Sequence, residues 1–191
     1  AYAILNPRRP DDTSLDKDLC AAGVAYKIAV ALTKAMDANV NPVLNMLDMV
    51  APATVADVAP LRGGNRVLVR YGLKLLNETS NTGLSALIRA SGLHAKDITA
   101  GRVGFILAPR LNAAGRVGSA MRGVQLLMSR DESEANPIAR ELEELNERRQ
   151  ALDRQTLDDA REMVKAMDLE HTFGIVLAGE GWHPGVIGIV A

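Results

Sequence analysis

The chain has 191 residues, 48% of them hydrophobic and 24% charged, with a formal net charge of −1. That length permits one domain or two small ones, and a single cysteine, Cys20, excludes an internal disulfide framework. No run approaches the ~20 apolar residues of a membrane span, and Ala1-Tyr2-Ala3-Ile4-Leu5 has no signal-peptide charge pattern, so the expected setting is the cytoplasm, with no membrane partner.

Taken in chain order, Tyr2-Ala3-Ile4-Leu5-Asn6-Pro7 predicts a strand running into a turn. Residues 19–36 are alanine-rich and apolar on several faces, which predicts a helix covered on more than one side with Cys20 as a small core residue. Residues 44–58 predict a helix, or a helix passing into a loop, interrupted at Pro52. Two shorter helices are predicted over residues 65–77 and 82–90, punctuated by Gly63-Gly64 and Asn81. From about Pro137 to Met167, Ile138, Leu142, Leu145, Leu152, Ala160, Met163 and Met167 keep a three-and-four spacing. Such a helix would run roughly 45 Å and is expected to bridge two domains, since the stripe falls short of strict heptads. Phe173-Gly174-Ile175-Val176-Leu177-Ala178 predicts a buried strand ahead of a glycine-punctuated turn and a new helix. A strand feeding a helix opens a domain, so the chain is expected to be an internal piece of a longer protein.

Charge along the chain is segregated. Residues 58–130 hold eleven Lys/Arg, namely Arg62, Arg66, Arg70, Lys74, Arg89, Lys96, Arg102, Arg110, Arg116, Arg122 and Arg130, against only Glu78 and Asp97, whereas residues 131–170 hold thirteen Asp/Glu against six Lys/Arg. A basic tract attracts polyanions and makes binding depend on salt, which puts nucleic acid first among partners. Within that tract, Ala108-Pro109-Arg110-Leu111-Asn112-Ala113-Ala114-Gly115-Arg116 reads as a turn rich in small residues that carries two guanidinium forks and an amide, groups suited to phosphate oxygens. Arg122 is expected to add only diffuse charge. His94 and His171 lie in polar stretches and are expected at the surface.

Four motifs in one order carry a resemblance. They are residues 47–61 (Leu47-Asp48-Met49-Val50-Ala51-Pro52-Ala53-Thr54-Val55-Ala56-Asp57-Val58-Ala59-Pro60-Leu61), the Ala108 to Arg116 stretch, Leu145-Asn146-Glu147-Arg148-Arg149, and residues 181–191 beginning Gly181-Trp182-His183-Pro184-Gly185. Together they closely resemble the RecJ family of single-strand-specific exonucleases in the DHH phosphoesterase superfamily, over essentially the whole chain. The family's usual Ala-Leu-Gly is replaced by Ala51-Pro52-Ala53.

The resemblance implies an α/β fold: the C-terminal part of a parallel-sheet DHH domain over residues 1–130, a long interdomain helix over 131–167, and the start of a DHHA1 α/β domain over 168–191. It further implies a 5′–3′ exonuclease that hydrolyses phosphodiesters of single-stranded DNA in repair and recombination with Mn²⁺ or Mg²⁺, and the expected state is a monomer. Asp57 is the one matching metal position, with most ligands expected outside this chain. Taken alone, Asp57 reads equally as a helix cap or turn former, and Asp48 is its structural rival. Arg116 is expected to grip the reacting phosphate and to stabilise its transition state. Arg110, Asn112 and His183 are expected to bind the strand, Arg110 having the alternative of tying its loop to Asp57 or Asp48, and Trp182 stacks on a base or simply packs. Aromatic content is 3%, so backbone electrostatics must dominate DNA binding. The rival functions are a catalytically silent nucleic-acid-binding scaffold and a phosphodiesterase for cyclic dinucleotides or short oligonucleotides.

Overall fold

The structure is a computed structural model that describes residues 4–94 and 98–191. Its regular structure is helical: α1 (Ala21–Ala35), α2 (Asn41–Asn45), α3 (Leu47–Ala56), α4 (Gly63–Leu76), α5 (Thr82–Ala90), α6 (Ala100–Arg102), a π turn (Val103–Leu107), α7 (Ala108–Val117), α8 (Met121–Met128), α9 (Glu132–Lys165) and α10 (Pro184–Val190). The described residues contain no strand, which overturns the expected parallel sheet and α/β class. Ile4, Leu5 and Asn6 are irregular, and Tyr2 and Ala3 of the expected first strand lie outside the described residues. Residues 173–178 are irregular too, with Phe173 and Val176 standing in solvent. A strand needs a ladder partner for its N–H and C=O groups, and no backbone bond joins residues 173–178 to any described segment. The β-branched pair Ile175-Val176 cannot substitute for that partner.

The core lies where α5, α7 and α8 pack on the N-terminal half of α9, with the π turn set against α3 and α7, burying Leu84, Leu87, Val103, Leu107, Leu126, Ile138 and Leu142. Glycine permits the closest approaches: a β-carbon at Gly83 would overlap the Leu126 carbonyl oxygen, and one at Gly72 would overlap the Leu47 carbonyl oxygen between α3 and α4. Cys20 is buried beside Thr54, its Sγ 3.4 Å from the hydroxyl.

Helix α9 starts five residues before Pro137. Asp131 caps it by accepting from the Ser133 amide at 2.7 Å, and Glu132 and Glu134 favour the positive end of its dipole. Its 34 residues span about 51 Å. Ala135, Ile138, Ala139, Leu142 and Asn146 are buried in its first half; in the second half only Thr156 is.

The largest local difference from expectation is residues 108–116, which form a helix. Together α6, the π turn and α7 make one continuous element. Pro109 lacks an N–H and its ring crowds the carbonyl four residues earlier, a conflict that a widened turn relieves, and the π turn sits immediately before it. Ala113 and Ala114 are fully buried, so the small residues serve close packing of α7 on α9 rather than a loop.

Candidate nucleic-acid interface

Placing the motif on a helix separates its polar side chains. Asn112 and Arg116 are four residues apart and share one face of α7, whereas Arg110 points elsewhere. Arg110 reaches across to α9: its Nε and Nη2 form a fork with Glu143, the Nη2 bond measuring 2.8 Å, and its Nη1 donates to the Ile106 carbonyl at 2.6 Å. The two side chains are only 14% and 24% exposed. Each of its three guanidinium nitrogens is engaged within the protein, so the expected phosphate contact from Arg110 gives way to a tie, made to Glu143 and not to Asp57 or Asp48.

Arg116 sits at the other end of the helix in the opposite condition. It is exposed, Nη1 donates to the Gly185 carbonyl at 3.0 Å, and among the described residues it makes no ion pair. Gly185 is required there, since a β-carbon would overlap the Arg116 carbonyl oxygen. The guanidinium is thus anchored through one nitrogen while its remaining N–H groups stay open to an acceptor. Asn112, one turn back, is exposed and lines a cavity of about 220 Å³ with Pro52, Ala53 and Ala56 of α3.

Asp57 follows directly on Ala56 as the C-cap of α3; it is exposed, and among the described residues its carboxylate has no hydrogen bond or ion pair. The next residue, Val58, has φ +52, a left-handed conformation that a β-branched side chain adopts only at a cost. Strain of this kind marks a backbone held in place by its surroundings. Asp48, the rival, is buried and accepts from the Thr79 hydroxyl at 2.5 Å. Burial pushes its pKa up against that hydrogen bond, which suits a structural link between α3 and the α4–α5 connection better than a cation ligand. Among the described residues no cluster of three or more His, Cys, Asp or Glu could hold a metal ion. One open carboxylate cannot by itself hold a divalent pair, so a metal bound by Asp57 would need further ligands from outside the described residues.

His183 is the N-cap of α10, its Nδ1 accepting from the Gly185 amide at 3.1 Å. That bond puts the ring proton on Nε2 in the neutral form. Trp182 donates from Nε1 to Asp159 of α9 at 3.2 Å and packs in the groove beside it. His171 is exposed against Asp168, and His94 is exposed.

The basic tract is also redistributed in three dimensions. Arg89 meets Glu132 at 3.4 Å and Asn136 at 3.1 Å, Arg110 meets Glu143, and Arg122 forks onto Glu141 while also donating to Gln125 at 2.8 Å. The pairing lowers the Glu141 pKa and raises that of Arg122. Thus the acidic helix neutralises part of the basic tract, and Arg122 is a specific partner rather than diffuse charge. Lys96 lies outside the described residues. Sequence reasoning read charge along the chain and missed this pairing, because it arises only from the packing of α5, α7 and α8 on α9.

Among the described residues no helix is long and apolar enough to cross a membrane. No family model matches the chain. It is 42% identical over 189 residues to the single-stranded-DNA-specific exonuclease RecJ of Bacillus subtilis, covering 99% of this chain and 23% of that protein. It is 41% identical over 170 residues to the RecJ of Thermus thermophilus, covering 89% and 24%. The crystal structure of Thermus thermophilus RecJ in complex with Mn²⁺ superimposes with a TM-score of 0.82 at 40% identity, over 94% of this chain and 26% of that one. A second, of exonuclease RecJ bound to manganese, gives 0.83 at 39% identity over 97% and 45%. The chain therefore spans about a quarter of the length of these two curated relatives. Agreement of sequence and of fold along nearly all of its own length places this chain in the RecJ family.

Proposed function

We propose that this chain forms the phosphate-gripping helical part of a RecJ-type exonuclease, which hydrolyses phosphodiesters of single-stranded DNA from the 5′ end in repair and recombination, with Mn²⁺ or Mg²⁺ as cofactor. The observation that carries the proposal is Arg116: exposed, free of carboxylate partners among the described residues, and anchored to Gly185 by a single nitrogen. A guanidinium held in this way meets a phosphoryl oxygen with little reorganisation, the condition under which a fixed cation stabilises developing negative charge. Asn112, on the same face, adds a neutral donor. His183 keeps Nε2–H for the strand while Nδ1 caps α10, and Asp57 offers one carboxylate to a metal whose other ligands come from outside the described residues. Residues 1–130, 131–167 and 168–191 would serve as DHH portion, connector and DHHA1 portion.

Segment exchange tests the proposal. The matching stretch of the Bacillus subtilis relative is replaced by this chain, and release of nucleotides from a labelled single strand is followed with Mn²⁺. Degradation of the single strand, with an intact duplex spared, is expected; a folded chimera that binds Mn²⁺ yet leaves the strand whole would refute it.

A further inference from the structure

Of the cations in the basic tract, Arg89, Arg110 and Arg122 face α9, Arg62 pairs with Asp18 at 3.1 Å, and Arg116 is tied to α10. A different group gathers on α4. That helix turns Asn65, Leu68, Val69, Gly72 and Leu76 inward, packing chiefly on α3, and leaves Arg66, Val67, Arg70, Tyr71 and Lys74 exposed on its outer side. Arg66, Arg70 and Lys74 follow at four-residue intervals, so their stems rise about 6 Å from one to the next in a single row. Among the described residues none of the three has a carboxylate partner, and Glu78, one turn further on, makes no ion pair with Lys74. Lys74 stands 5.6 Å from the centre of the Tyr71 ring, which is itself 53% exposed.

We propose that the outer face of α4 is an additional single-strand-binding surface, on which Arg66, Arg70 and Lys74 engage successive backbone phosphates and Tyr71 stacks on a base. The choice of polyanion rests on the exonuclease reading above; the surface does not share its residues. Three unpaired cations cannot be covered by an apolar partner without a large desolvation cost, so the face either stays in water or meets anions. Their spacing is comparable with that of neighbouring phosphates on an extended strand. An exposed aromatic ring among them suits unstacked bases, which a duplex does not present. An acidic protein segment would use the cations but has no need of the ring.

The test is fluorescence anisotropy of the 191-residue chain with labelled oligothymidylate, without divalent metal, over a series of salt concentrations. The variant Arg66→Gln/Arg70→Gln/Lys74→Gln is compared with the charge-matched Lys34→Gln/Arg130→Gln/Arg140→Gln, whose positions are exposed and scattered. The α4 variant is expected to bind roughly tenfold more weakly at low salt, and the slope of log K against log salt should fall by about 2, from three lost phosphate contacts at about 0.7 each. Unchanged binding, or an equal loss in the scattered variant, overturns the proposal. A second measurement needs no variant: photocross-linking to an oligonucleotide carrying 5-iodouracil should label Tyr71, and cross-links that all fall elsewhere overturn it. Tighter binding of polyglutamate than of the oligonucleotide, lost in the same variant, would also overturn it and assign the face to an acidic protein. A chimera that fails to degrade DNA while these binding results stand would sink the exonuclease reading alone.

Discussion

The two ends of α7 carry the same residue type in opposite states. At its first turn Arg110 is folded back onto Glu143 and the Ile106 carbonyl; at its last turn Arg116 keeps most of its fork in the open. Charge, residue type and even helix are held constant, so the difference comes from what faces each side chain. Arg110 looks at an acidic helix, and Arg116 at the backbone of a short one. A guanidinium whose charge is matched by a carboxylate and whose three nitrogens are all engaged in a part-buried site offers little to a phosphate, whereas an exposed one matched by a single carbonyl keeps both its charge and most of its donors.

Removing each side chain should break this symmetry. Arg110→Ala leaves Glu143 part-buried and unpaired, and should cost about 1–3 kcal/mol of stability, between the values for exposed and fully buried pairs. Arg116→Ala should stay within about 0.5 kcal/mol. Urea unfolding of both variants checks this; equal losses would mean that Arg116 is structural as well. Next in size is Gly185→Ala. Its new methyl must push α10 away from the Arg116 carbonyl, so turnover of the segment-exchange chimera should fall several-fold while the main unfolding transition barely moves. Turnover equal to the parent's would show that α10 does not hold Arg116 in place.

The smallest effect concerns a pair on the closed side. Arg122 holds the Glu141 carboxyl below its ordinary value of 4.5. A depressed folded-state pKa contributes stability above the unfolded value and loses it as pH falls through the folded one. Glu141→Gln should therefore lower the urea midpoint slightly at pH 7 and match the parent once pH has dropped through that lowered value. A constant gap at all pH values would mean the contribution is not ionic. Glu141 is 40% exposed, so solvent screening keeps the difference small.

Much of the helical framework was legible in the sequence. The helix over residues 82–90 forms as expected, because the local signal is strong: Asn81 caps it by accepting from the Leu84 amide at 2.9 Å. The α7 region was misread as a turn because Pro109 and Ala-Ala-Gly are loop signals unless a neighbouring helix requires small residues and a π turn absorbs the proline. The sheet was misread because a β-rich run names a preference and not a partner. For the site, the residue types pointed to phosphate, but only packing separates Arg110 from Arg116, and the capping bond of His183 depends on a helix starting at Pro184.

The most direct measurement of the central claim is single-turnover cleavage of a 5′-phosphorylated single strand by the chimera at saturating enzyme and fixed salt, comparing Arg116→Lys with Arg130→Lys. Both keep the charge, and Arg130 is exposed with no ion pair among the described residues. Loss of the planar fork should slow Arg116→Lys at least tenfold, or about 1.4 kcal/mol of transition-state stabilisation, while Arg130→Lys cleaves at the parent rate. Cleavage by Arg116→Lys at the parent rate would contradict the account and leave Arg116 as one more surface cation.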